Sequence, residues 1–237
     1  DESHAAGKLL SVNQNMRYDQ SMRVLKQILE RGDLGAIVFA QIDMHAIPHW
    51  QTFLQGYDRL TLANMSVHHL DVLRFLFGEP TEIYTAARPD PRTTFRHTDG
   101  ITVSTLKFGS GVLALSLEDV WSGPREEGFD SDIWIKWRVE GTEGVAQGTI
   151  GWPTGQASTL TFASKATTGG KWVSPTWDTM WFPHAFTGVM EQLQYAVTTG
   201  TPPALSVDDN VRTVALIEAG YRSLAERRAV QLSEISL

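Results

Sequence analysis

Apolar and polar residues follow three rhythms along this chain, and each change of rhythm marks an element. Lys8-Leu9-Leu10-Ser11-Val12-Asn13 predicts a short buried strand. Asp19 can then cap a helix in which Met22, Leu25, Ile28 and Leu29 recur at helical spacing, and Gly32 ends it. Gly35 to Met44 predicts a strand resting on Ile37, Phe39 and, less regularly, Ile42. From Ser66 to Phe77 the apolar residues lie nearly all round, as in a buried helix, and Gly78 and Pro80 stop it.

From Thr81 to about Trp172 the period falls to two: Ile83/Thr85, Ile101/Val103/Thr105, Val112/Ala114/Ser116/Leu117, Ile133/Ile135/Trp137/Val139 and Leu160/Phe162. Phe108-Gly-Ser-Gly111 and Gly141-Thr-Glu-Gly144 have the glycine content of hairpin turns. Helical spacing returns at Phe186, Val189, Met190, Leu193 and Val197, ahead of Gly200 and Pro202-Pro203. Ser206 caps a further helix expected to turn Val211, Val214, Ile217, Tyr221 and Leu224 inward. Helices at both ends of a strand-rich middle predict an α+β fold, a large, mostly antiparallel open β-sheet with helices packed on one face. The other face is expected to form a subunit interface, making a homodimer or homotetramer. No repeat, low-complexity tract or linker interrupts the chain.

The 237 residues include no Cys, which excludes thiol nucleophiles, disulfides and zinc-thiolate sites. With 27 acidic against 20 basic residues, the long-range field repels phosphate backbones and anionic lipid, so no nucleic acid or membrane partner is expected. No apolar run reaches the roughly 18 residues of a membrane span, and no basic-then-apolar leader opens the chain, which begins with Asp1. A cytoplasmic protein is expected.

The densest polar cluster within apolar sequence is Asn64-Met-Ser-Val-His68-His69-Leu-Asp71. If a helix starts near Ser66, His68 and Asp71 lie three apart on one face, where the carboxylate can orient the imidazole. One interpretation is a general base at a helix N-terminus, kept neutral by the helix dipole; the other is a buried His bonded to a backbone carbonyl. No third ligand stands at fixed spacing, so no metal site is expected. In His45-Ala-Ile-Pro-His49, Pro48 forbids the helix that would pair the two imidazoles, and a strand-to-loop passage is expected, with His49-Trp50 in the loop. Seven of the eight Trp, from Trp121 to Trp181, lie in the second half of the chain. Trp134 and Trp137 have opposite parity and should face opposite sides of one strand. G-x-G-x-x-G, G-x-x-x-x-G-K-[ST] and G-x-S-x-G are all missing from the sequence.

Three ordered blocks carry a resemblance. Val12-Asn-Gln-Asn-Met-Arg17-Tyr18 with Gly32-Asp-Leu-Gly35, then Asn64-Met-Ser66-Val-His68-His69-Leu-Asp71 with Arg74 and Gly78, and finally Trp181-Phe-Pro-His-Ala-Phe186 with Pro203-Ala-Leu-Ser-Val-Asp-Asp-Asn210 and Ala219-Gly-Tyr-Arg-Ser223 follow one another. Together they resemble the Gfo/Idh/MocA-type sugar and polyol oxidoreductases (glucose–fructose oxidoreductase, inositol dehydrogenase and rhizopine-catabolism enzymes), whose catalytic segment is D-x-G-x-H-x-x-D. The resemblance implies that residues 16–237 are a C-terminal substrate-binding and oligomerisation domain, and residues 1–15 the remnant of the last Rossmann strand and crossover. It further implies a sugar, sugar derivative or cyclitol as substrate, and NAD or NADP in the complete enzyme, with neither expected to bind this chain alone. By the same resemblance His68 is the acid/base and Asp71 its orienting partner, Asn64, His69, Tyr18 and His184 bind substrate, and Arg17 reaches the cofactor. Asn64 stands where the motif has Asp, which removes a proton acceptor, and Ser66 stands where it has Gly, which suits a helix cap. The alternative is a cofactor-free carbohydrate-binding or oligomerisation module, or a sugar isomerase or lyase.

Overall fold

A computed structural model describes residues 2–45, 52–119, 133–152 and 155–236. The strands are β1 (Ile37–His45), β2 (Pro80–Arg88), β3 (Ile101–Phe108), β4 (Leu113–Asp119), β5 (Trp134–Gly141), β6 (Gly144–Thr149), β7 (Thr159–Ser164) and β8 (Val230–Gln231). They form one sheet in the order β7-β6-β5-β1-β4-β3-β2-β8. Neighbours run antiparallel except β1 and β4, which are parallel. The helices are α1 (Glu2–Ala5), α2 (Gln20–Glu30), α3 (Thr61–Asn64), α4 (Ser66–Phe77), α5 (Ala185–Thr199) and α6 (Val207–Glu226). The expected α+β plan holds, and both glycine-rich hairpin turns join the strands they were expected to join. Among the described residues no helix is long and apolar enough to cross a membrane.

Strand parity decides which face is covered. Ala40, Ile42 and Met44 of β1 share the core with Ile135, Trp137 and Val139 of β5, under Met22 and Leu25 of α2 and Val72, Leu73 and Leu76 of α4. On the opposite face Tyr84 and Leu113 are exposed. The irregular position of Ile42 in the sequence pattern has a physical cause, because the β1/β5 register shifts between Ile37 and Phe39 and swaps the inward parity partway along the strand. Trp137 is buried while Trp134 stacks against His45, 4.4 Å between ring centres, so the two do face opposite sides. His45 ends β1 as expected; His49, Trp50 and Trp121 lie outside the described residues.

Asp19 caps α2, its Oδ1 accepting from the Ser21 N–H at 2.9 Å, while Oδ2 accepts from Ser158 Oγ at 2.5 Å and so ties the helix start to the residue just before β7. Three expectations need correction. Lys8–Asn13 is no strand: Ser11 forms an isolated bridge to Ser206, Val12 N–H donates to the Leu205 carbonyl at 2.8 Å, and Leu9 and Leu10 are 45% and 53% exposed. In α5 the buried residues are Ala185, Val189 and Ala196, whereas Phe186, Met190 and Val197 face outward. In α6 Ser206 caps as expected, accepting from Asp209 N–H at 3.2 Å, and Ile217 is buried, but Val211 and Val214 are exposed. The buried side of α6 also carries Thr213, Ala219, Gly220 and Ser223, small residues that let the helix backbone approach β2 closely and bond to it: Ser223 Oγ accepts from Thr85 N–H at 2.9 Å.

Gly188 of α5 shows how tight such an approach is, since a Cβ there would lie 2.2 Å from Cδ1 of Tyr18. Ala should gain about 1 kcal/mol of helix propensity over Gly, while overpacking costs roughly 1–3 kcal/mol. Gly188→Ala is therefore expected to lower the urea midpoint, and a midpoint above that of the parent would show the Tyr18 ring free to move aside.

Candidate active site

The Asn64–Asp71 segment is built by two helices with a break at Met65. Asp99 starts the first: its Oδ1 and Oδ2 accept from the N–H groups of Leu60 and Leu62, each at 2.8 Å, and Tyr221 donates to it at 2.9 Å. Burial raises Asp99, and burial together with the Asp99 charge raises Tyr221. Half-buried Asn64 ends α3, and α4 begins one residue after the break. Ser66 does not cap α4 as expected. Its hydroxyl turns into the protein and donates to Glu118 Oε2 at 2.7 Å, a bond strengthened by the carboxylate's charge.

His68 sits on the first turn of α4, half-buried, with its ring edge-on to Trp181 at 5.3 Å between centres. Nδ1 is buried and has no hydrogen-bond partner among the described residues. Burial first, and the His69 charge second, push the imidazole down to about 4, so it is neutral at pH 7. Trp181 is itself fixed, donating from Nε1 to Asn15 Oδ1 at 2.6 Å and stacking on Phe182. Neither Asn15 nor Trp181 was singled out from sequence as part of the site. The signal was present: Asn15 is a polar residue in the block containing Arg17, and Trp181 leads directly into α5.

Asp71 does not contact His68. Both of its oxygens are taken by Arg17, at 2.5 Å from Nε and from Nη2, and Thr213 adds a bond at 3.0 Å. A forked guanidinium outcompetes an imidazole for a carboxylate in geometry and charge. Burial raises Asp71, with Arg17 opposing the rise. Arg17 also reaches Asp209 at 2.7 Å, and Arg74 joins Glu79, Thr213 and Asp209, so one lattice binds the 3-10 turn Asn15–Tyr18 to α4 and α6. Arg17, expected to reach the cofactor, is thus paired with Asp71 and Asp209 and is 11% exposed. His69 is fully buried, with Nδ1 2.7 Å from Glu118 Oε1, which removes it from reach of a substrate. Tyr18 is half-buried against Gly188 of α5, and burial raises its hydroxyl. His184 is exposed, its Nδ1 accepting from Met180 N–H at 3.2 Å. Among the described residues no group of three or more His, Asp or Glu is placed to hold a metal ion.

The architecture is thus an open sheet backed by helices, with a His on the first turn of a buried helix. The GFO/IDH/MocA C-terminal domain matches residues 22–147, and the chain belongs to that family. It is 25% identical over 236 residues to a D-apiose dehydrogenase from Paraburkholderia graminis, a match that takes in 97% of this chain and 61% of the relative. The chain therefore spans about three fifths of that relative's length. The fold is shared with an oxidoreductase from Agrobacterium radiobacter in complex with NAD+, L-tartaric acid and magnesium (TM-score 0.74, 19% identity, 98% of this chain and 67% of that one). It is shared also with a levoglucosan dehydrogenase in complex with NADH (TM-score 0.77, 15% identity, 95% of this chain and 66% of that one).

Two predictions arise from these contacts. Asp71→Ala leaves Arg17 enclosed without its main counter-charge, and a loss of about 3–5 kcal/mol is expected in chemical denaturation. For His68, the unfolded imidazole takes up its proton near pH 6.5 and the folded one only near 4. Between those values the unfolded state binds more protons, so stability is present above pH 6.5 and is lost as pH falls toward 4. His68→Gln should flatten that part of the stability–pH curve by roughly 1–3 kcal/mol.

Proposed function

We propose that this chain is the substrate- and proton-handling part of an NAD(P)-dependent dehydrogenase acting on a sugar, a sugar derivative or a cyclitol. The observation that carries this reading is His68: braced by Trp181 and neutral at pH 7, it is ready to accept the proton a substrate hydroxyl gives up on becoming a carbonyl. Its affinity for a proton in the free chain is below the optimum for a base at neutral pH, so the growing negative charge on the substrate oxygen supplies the remaining drive. Asn64, at the break before α4, offers an amide that donates and accepts but takes no proton, which suits holding a neighbouring hydroxyl. Asp71 acts on the site by holding α4 through Arg17.

The chain's residues do not by themselves suit a dinucleotide. The sequence has no glycine-rich phosphate loop, and Arg17 is already paired with two carboxylates. The role assigned to this chain is therefore confined to substrate and proton, with the hydride acceptor held elsewhere in the enzyme. Residues 1–15 are taken as the crossover from a preceding nucleotide domain, to which exposed Leu9 and Leu10 would owe their cover. The open sheet face bearing Tyr84 and Leu113 is taken as the homo-oligomer contact, and the cytoplasm as the setting. The same lack of a phosphate cradle favours a second reading, a cofactor-free carbohydrate-binding module.

In the full native protein, His68→Ala should lower kcat by about 10²–10⁴ in an NAD(P)-linked sugar oxidation assay with little change in KM. Asn64→Ala should act mainly on KM. Near-normal turnover in His68→Ala would overturn the assignment, and sugar binding without any sugar-dependent NAD(P) reduction would favour the second reading.

A further inference from the structure

The open face of the sheet changes character across its width. Over β2, β3 and β4 it carries exposed Tyr84 and Leu113, with Leu115 and Leu117 on the same side of β4 as Leu113. This apolar half is the part taken above as the homo-oligomer contact. From β1 outward the same face is polar. Gln41, Arg138 and Gln147 stand in register with Tyr84, and Asp43, Lys136 and Thr149 make the next rung. These rungs floor a cavity of about 690 Å³ whose wall includes Trp177 and the residues just before it. That wall is held against β7, through the Val173 bridge to Phe162 and through Ser158 N–H, which donates to the Thr179 carbonyl at 2.9 Å. The volume lies within the range of small-molecule sites and far exceeds that of one water.

The chemistry of the lining narrows the occupant. Arg138 donates to Glu140 at 2.5 Å and to Gln147 at 2.7 Å, and Lys136, over the Trp134 ring at 3.9 Å, stands opposite Asp43 across the β1/β5 pair. The charges are therefore matched in sign, and no excess is left to select an anion or a cation. Two atoms of the lining residues are buried without a hydrogen-bond partner among the described residues: Asp43 Oδ1 and the N–H donor Trp177 Nε1. Such unpaired groups cost free energy that a bound partner recovers. A hydroxyl answers both, because it donates and accepts at once. Burial raises Asp43 against the pull of His45 and Lys136, and a hydroxyl pairs with either form of the carboxyl group. A molecule carrying several hydroxyls on an apolar ring or chain also suits an indole wall beside the amides of Gln41 and Gln147. We propose that this cavity is a binding site for a neutral sugar or polyol, on the opposite side of the sheet from His68 and independent of the reaction assigned there.

The test is a fluorine NMR titration of the full native protein labelled with 5-fluorotryptophan, the Trp177 signal being assigned by its loss in Trp177→Phe. D-glucose, D-xylose, myo-inositol and sorbitol are the probes, each raised through the millimolar range. At least one should move the Trp177 signal saturably, and inorganic phosphate should not. The shift should persist in His68→Ala and need roughly tenfold more ligand in Asp43→Asn. Gln147→Ala, which leaves Asp43 in place, should weaken binding in the same direction. No saturable shift with any of the four shows a cavity filled by water alone and overturns the proposal. A shift abolished by His68→Ala, or unchanged in both Asp43→Asn and Gln147→Ala, places the ligand elsewhere and overturns it too. So does a Trp177 signal that responds to protein concentration and not to sugar, which shows a second copy of the chain seated in the cavity.

Discussion

The forked ion pair between Arg17 and Asp71 fixes where α4 lies, and most of the candidate site depends on that position. Asp71 is nearly inaccessible to solvent and Arg17 only 11% exposed, so neither can trade its partner for water. Through Asp209 the same guanidinium reaches α6, and through the chain it holds Asn15, which in turn orients Trp181 against His68. A residue that would be read as reactive from its spacing is thus the keystone of a framework. The proposed proton transfer falls to its neighbour three positions earlier.

Much of the fold was legible because period and punctuation agree. The α4 pattern, both glycine turns and the Asp19 and Ser206 caps follow from local rules that the tertiary structure leaves intact. The inward faces of α5 and α6 were not legible, because hydrophobicity was the wrong measure of burial there. Thr213, Gly220 and Ser223 are buried for their size and hydrogen bonds, while Val211 and Val214 remain exposed. Burial of small and hydroxyl residues depends on what lies opposite, which a single sequence does not encode locally.

In the site, His68 was legible as a special His, and its partner was not. Helical spacing placed Asp71 beside it, but contact is settled by competition, and Arg17 is 54 residues away in sequence. His69 and Ser66 were misplaced for a related reason. Both turn toward Glu118, an acidic residue on the buried parity of β4, in a stretch where Ser116, Leu117 and Glu118 alternate. An acidic side chain on the inward side of a strand is itself a signal that a buried partner exists. What the sequence lacks is the identity of that partner.

The parallel pairing of β1 with β4 sets the order in which the sheet can assemble. β1 ends at His45, yet its flanking strands are Leu113–Asp119 on one side and Trp134–Gly141 on the other. During synthesis the central strand leaves the ribosome with both edges bare and must wait for about the next seventy residues before the first is closed. Hairpins such as β3–β4 and β5–β6 can form early from their own turns, but each must then dock on a strand made long before. Such long-range closure slows folding and leaves an unpaired edge open to wrong partners in the meantime. The middle of this sheet therefore holds the earliest strand described and yet is closed only by strands made much later.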